Sequence, residues 1–135
     1  MAYAQWVVVH IINSFRNGTI SIKDAKAFWG KFYKNGNKDD EIIANEVNQL
    51  MIPAGSDGDI ASCGRSDSAS GTEGQVYVYD GDTRVCTLYW SCPWGSKANN
   101  FHIRNINKDY GITPSDWNSD SGALGRVNVD ISRKG

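Results

Sequence analysis

The stretch from Gln75 to Trp90 constrains the fold more than any other. Gln75-Val76-Tyr77-Val78-Tyr79 and Arg84-Val85-Cys86-Thr87-Leu88-Tyr89-Trp90 are runs of β-branched and aromatic residues separated by Asp80-Gly81-Asp82-Thr83. Asp-Gly between alternating runs marks a β-hairpin, because glycine takes the positive φ that a tight turn requires. A lone hairpin is barely stable in water, so further strands must cover it. They are present. Val7-Val8-Val9-His10-Ile11-Ile12 is β-branched almost throughout and too short for a helix, and Thr19-Ile20-Ser21-Ile22-Lys23 alternates at period two. Ala27 to Tyr33, Phe101-His102-Ile103-Arg104 and Arg126-Val127-Asn128-Val129-Asp130-Ile131 complete the set. Asn35 to Asp40 reads as a turn. Glu41 to Ile52 admits a short helix, stopped by Pro53 and Gly55. Many short strands at even spacing predict an all-β, single-domain β-sandwich or closed barrel spanning residues 1–135.

Charge and cysteine content narrow the function. Lys plus Arg is 14 and Asp plus Glu is 15, a net charge of -1. Nucleic-acid binding relies on excess basic residues, so that class is disfavoured, as is attraction to anionic lipid through bulk charge. The longest apolar run, Trp6 to Ile12, is far short of the roughly 20 residues a spanning helix needs. MAYAQW has no basic region or small-residue cleavage site, so no signal peptide is expected and synthesis in the cytosol is. Cys63, Cys86 and Cys92 are odd in number and lack zinc spacing; reduced thiols are expected, with a Cys86–Cys92 bridge left open.

Enzymatic motifs are missing: there is no GxSxG, HExxH, Walker loop or GxGxxG, and no metal or cofactor motif. His10 and His102 each lie inside a strand and read as structural histidines. Asp57-Gly58-Asp59 and Asp39-Asp40-Glu41 lack the order of a calcium loop and read as solvated turns. Catalysis is disfavoured.

The aromatics carry more. Period-two geometry puts Trp6, Val8, His10 and Ile12 on one face of the first strand and Val7, Val9 and Ile11 on the other. Leu88 and Trp90 share a face, with Tyr89 opposite. Pro93 then breaks the strand, leaving Trp94 and Lys97 on a loop. A loop indole beside an ammonium suits a lipid interface, where the ring sits at headgroup level and the cation meets a phosphate. Core packing remains an equal reading for Trp29 and Trp117.

Ala2-Tyr3-Ala4-Gln5-Trp6, Trp29-Gly30-Lys31, Cys63-Gly64-Arg65-Ser66-Asp67, Gly71-Thr72-Glu73-Gly74, Tyr89 to Lys97 and Asp120 to Gly125 together resemble the aegerolysins, in order and over essentially the whole chain. The string YWSCPWGSK with CGRSD is specific. That resemblance implies a β-sandwich similar to actinoporin-like cytolysins. It implies binding to sphingolipid membranes, through sphingomyelin with cholesterol or ceramide phosphoethanolamine. It also implies a pore-forming partner of the membrane-attack-complex/perforin type, with this chain as targeting component, a monomer in solution that assembles on the membrane. By the same resemblance Trp6, Trp29, Tyr89, Trp90, Trp94 and Lys97 form the headgroup-binding side. Mushroom members carry a Glu in the loop after the CGRSD segment, where this chain has Ser70, a difference that bears on lipid choice and sterol dependence. The competing expectation is a non-lytic, lectin-like or defence-type surface-binding module.

Overall fold

The computed structural model describes residues 2–135; of the domain expected over 1–135, only Met1 lies outside. Among the described residues, eleven strands form two sheets. The first sheet is ordered β10(Tyr110–Pro114), β11(Gly125–Arg133), β1(Trp6–Asn13), β6(Asp57–Cys63), β3(Lys31–Lys34), β4(Asn37–Ile42). The second is β5(Met51–Pro53), β2(Thr19–Trp29), β7(Thr72–Asp80), β8(Thr83–Cys92), β9(Asn100–Arg104). Only β1 and β11 run parallel; every other pairing is antiparallel. The architecture is the expected β-sandwich.

The alternation that defined the strands also builds the core. Val7, Val9 and Ile11 of β1, Val127, Val129 and Ile131 of β11, Ile20 and Ile22 of β2, Val76 and Val78 of β7 and Leu88 and Trp90 of β8 are all buried between the sheets. The Asp80–Thr83 pair closes the expected hairpin with a two-residue turn, positive φ falling on Gly81 at 59°. A single helical turn, α1(Ala44–Val47), occupies the ambiguous stretch before β5 and buries Val47.

Several polar segments read as turns are strands. Asp57-Gly58-Asp59 belongs to β6, and Asp39-Asp40-Glu41 to the edge strand β4, whose charges discourage further pairing at that edge. Asp59 lies opposite His10 across β1 and β6 and takes its ring Nδ1 at 2.6 Å, while Asp57 meets Nε2 at 3.1 Å. His10 is structural, as expected. His102 lies inside a strand, β9, as expected; its side chain is exposed and stacks on Tyr89 with ring centroids 5.9 Å apart. The three cysteines are free and buried. Cys86 and Cys92 sit six residues apart on one strand, about 20 Å by strand rise, so no bridge can join them. Burial pushes the Cys86 thiol up to about 12 and raises the other two, which keeps all three in the unreactive thiol form at neutral pH.

One end of the sandwich gathers the starts of β1, β3, β7, β9 and β11 and the finishes of β2, β6 and β8. The chain crosses from the second sheet to the first there, through Gly30. Its φ of 79° and the Cys63 and Gly71 carbonyls packed against its Cα leave no room for a side chain.

Candidate functional site

Strand register brings the site together before any loop is considered. Trp29 of β2 lies opposite Glu73 of β7, and Glu73 lies opposite Ser91 of β8, so the three form one rung on the outer face of the second sheet. Ser91 leads into Cys92-Pro93-Trp94, and the 93–97 loop folds over the end of the rung. Gly71 allows the approach: any Cβ there would strike the Cys92 carbonyl and lie 2.9 Å from the Trp94 nitrogen. The product is a cleft of about 310 Å³. Trp29 and Trp94, 61% and 41% exposed, line it together with Ser70, Glu73, Ser91 and Lys97. Large aromatic rings left this open on a small protein are typical of surfaces that meet something apolar.

Lys97 and Glu73 give the cleft one cation and one anion, and among the described residues they do not form an ion pair with each other. Glu73 accepts a short hydrogen bond from the Tyr89 hydroxyl. Tyr89 stacks on His102, and the Arg104 guanidinium stands 4.0 Å from its ring centroid. Burial, then the bond to Glu73, pushes the Tyr89 hydroxyl above its ordinary pKa, so it remains a donor and fixes the carboxylate. Ser70 shares a 2.7 Å hydrogen bond with Ser68, which ties down the loop lip.

Four of the expected residues, Trp29, Ser70, Trp94 and Lys97, therefore converge, with Tyr89 touching the cleft through Glu73. Trp90 does not join them. It is fully buried, packs edge-on against Phe32 at 6.0 Å and presses against Gly74. Its indole Nε1 donates to Thr72 Oγ1 at 3.1 Å; Thr72 donates to Ser62 Oγ at 2.5 Å, since the single Ser62 hydroxyl proton goes to the Lys31 carbonyl at 2.8 Å. Trp90 is a core residue that meets the cleft only through the lining residue Thr72, a correction to its placement on the headgroup side: the Leu88 face is the inward one. Trp6 is also elsewhere, on the outer face of the first sheet beside Cys63 and Lys31. Trp117 packs on the core edge-on to Phe101.

Glu73 is the residue that the sequence reading missed. The absence of a carboxylate at Ser70 does not leave the cleft without one. The signal was present in the Gly71-Thr72-Glu73-Gly74 segment, but the role of Glu73 depends on the β2–β7 register, which contains two irregularities.

The chain is thus a small β-sandwich with a two-charge, indole-lined cleft at one end. Comparison with known proteins names its kind. The aegerolysin family model matches residues 4–134. Asp-hemolysin of Aspergillus fumigatus is 48% identical over 133 residues, covering 98% of this chain and 96% of that protein. Ostreolysin A6 of Pleurotus ostreatus is 43% identical, covering 100% and 99%. The crystal structure of RahU protein in complex with a TRIS molecule superposes with a TM-score of 0.93 at 40% identity, covering 98% and 97%. The lipid binding protein Nakanori shares the fold at a TM-score of 0.60 and 15% identity, covering 96% of this chain and 72% of that one. The chain belongs to the aegerolysin family.

Proposed function

We propose that the Trp29–Trp94 cleft binds the zwitterionic phospho-amine headgroup of a sphingolipid and anchors the protein on membranes that contain it. The observation that carries this reading is the pairing of Lys97 and Glu73, unbridged to each other, within one cleft walled by exposed indoles. Lys97 suits the phosphate as a point charge. Glu73 suits the ammonium: directly, by a charge-assisted hydrogen bond, for ethanolamine, or through space beside the indole faces for choline. Trp29 and Trp94 hold the protein at headgroup level. The headgroup alone does not distinguish sphingomyelin from phosphatidylcholine. The Ser70 and Ser91 hydroxyls, in the same cleft, supply partners for the amide and hydroxyl of a sphingoid backbone. Membership of the family and the haemolysin name of a relative support membrane binding.

Within the same reading, this chain is the targeting component and a perforin-like partner makes the hole. Among the described residues no helix is long and apolar enough to cross a membrane, though this does not bear on strands. The test is co-sedimentation and dye release on vesicles of phosphatidylcholine alone, with sphingomyelin plus cholesterol, and with ceramide phosphoethanolamine. Binding to at least one sphingolipid mixture, none to phosphatidylcholine alone, and little leakage by the purified protein are expected. Binding to none of the three removes the headgroup reading. Rapid dose-dependent leakage by the protein alone removes the division of labour.

A further inference from the structure

The outer face of the first sheet holds a second cleft, of about 540 Å³, that the headgroup reading does not use. Strand register builds it. Trp6, Cys63 and Lys31 form one rung across β1, β6 and β3; Arg126, Val8, Ala61 and Tyr33 form the next, across β11, β1, β6 and β3. Asn35, Asn37 and Lys38, at the turn from β3 into β4, complete the wall.

Its charge is unbalanced. Lys31, outside the lining but against the lining residue Tyr3, is only 7% exposed; its Nζ donates to the Tyr3 hydroxyl at 2.8 Å and stands 4.6 Å from that ring's centroid. Lys38 Nζ donates to the Tyr3 carbonyl at 2.9 Å and lies 5.4 Å from the Trp6 ring centroid. Arg126 donates through Nε to Asn128 at 3.2 Å. Among the described residues no carboxylate is within ion-pair distance of these three cations. The neighbouring acids are committed. Glu41 is held by both terminal nitrogens of Arg65 at 2.8 and 3.0 Å, which draws its carboxyl below the usual range. Asp59 is held by His10 and Asn35, and Asp39, the one carboxylate in the lining, accepts from the Tyr3 hydroxyl at 3.0 Å. In the lining itself Lys38 and Arg126 outnumber Asp39, and an anion bound in the cleft would balance that excess. Two further features specify what carries that anion. Trp6, half-buried, offers a flat apolar face, while Asn35 Oδ1 and Asn37 Nδ2 stay outside the hydrogen bonds that engage Asn35 Nδ2 and Asn37 Oδ1.

We propose that this cleft binds an acidic saccharide, its apolar ring face against Trp6, its hydroxyls on Asn35 and Asn37, and its carboxylate between Lys38 and Arg126. The site is separate from the headgroup cleft, so the protein reads lipid and acidic sugar on one surface through different sheets.

Calorimetric titration with glucuronic acid and N-acetylneuraminic acid, beside glucose and inorganic phosphate, tests this. The acidic sugars are expected to bind, with glucose and phosphate each at least about 10-fold weaker. Lys38→Ala and Arg126→Gln should each weaken the acidic sugars roughly 10-fold or more, as loss of a charge-assisted contact does. Both should retain the wild-type melting temperature and sphingolipid-vesicle binding, whereas Trp94→Ala should lose vesicles and keep the sugar. Glucose binding as tightly as the acids, phosphate binding as tightly as they do, or no heat from either acidic sugar at millimolar concentration would each overturn the proposal. A loss confined to vesicle binding by wild-type protein would overturn only the headgroup reading.

Discussion

Trp90→Ala is expected to lower folding stability by about 3–5 kcal/mol, the range for truncating a large buried aromatic ring. For a domain whose whole stability is of order 5–15 kcal/mol, that is a melting-temperature drop of roughly 10–20 °C. The reason is local: the ring is fully buried against Phe32, and its N–H starts the hydrogen-bonded chain through Thr72 and Ser62 to the Lys31 carbonyl. Trp90→Phe separates the two contributions. It keeps most of the packing, leaves Thr72 Oγ1 without its donor, and should cost about 1–3 kcal/mol. Thermal melts beside vesicle binding check the pair. Trp90→Phe should melt early yet still bind sphingolipid vesicles below its melt; an unchanged melt with lost binding would return Trp90 to the lipid surface.

Lys97→Ala and Trp94→Ala are expected to do the reverse. Both residues lie on the exposed loop after Pro93, outside any strand ladder, so neither truncation should move the melt by more than a degree or two. Loss of a charge-assisted contact to phosphate is worth about 1.5–3 kcal/mol, or roughly 10- to 100-fold in vesicle affinity for Lys97→Ala. Trp94→Ala should lose a comparable factor, because its ring no longer buries apolar area in the interface. Trp29→Ala, on the opposite wall, should behave like Trp94→Ala. Normal vesicle binding by Lys97→Ala, together with an early melt for Trp94→Ala, would make this loop a structural element and remove it from the site.

The hairpin and the core strands were legible because each is a local pattern: β-branched alternation on both sides of Asp-Gly, with Val76, Val78, Leu88 and Trp90 on one face. Strands β4, β6 and β10 were not. Asn37-Lys38-Asp39-Asp40-Glu41-Ile42 is a charged edge, Asp57-Gly58-Asp59 starts with the composition of a turn, and Tyr110 to Pro114 contains Gly111 and ends on a proline tolerated only at an edge. What makes β6 a strand is its pairing with β1, almost fifty residues away, where Asp59 meets His10. The same limit applies to the site. The loop position of Trp94 and Lys97 follows from Pro93, and alternation sets Tyr89 and Trp90 on opposite faces of β8 without saying which turns inward; the resemblance put both on the headgroup side. Glu73 enters the cleft through register with Trp29 and Ser91, which no local spacing encodes.

The central claim is that Glu73 reads an ammonium while Lys97 reads a phosphate. Glu73→Gln isolates it, since the amide oxygen still accepts from Tyr89 and only the charge is lost. The decisive measurement is the affinity of wild type and Glu73→Gln for phosphatidylcholine vesicles carrying either ceramide phosphoethanolamine or ceramide 1-phosphate, which has the phosphate without the amine. The variant should lose roughly 10-fold on the zwitterionic lipid and bind the phosphate-only lipid at least as well as wild type does, by loss of a repelling carboxylate. Equal affinity of the two proteins for both lipids would contradict the account.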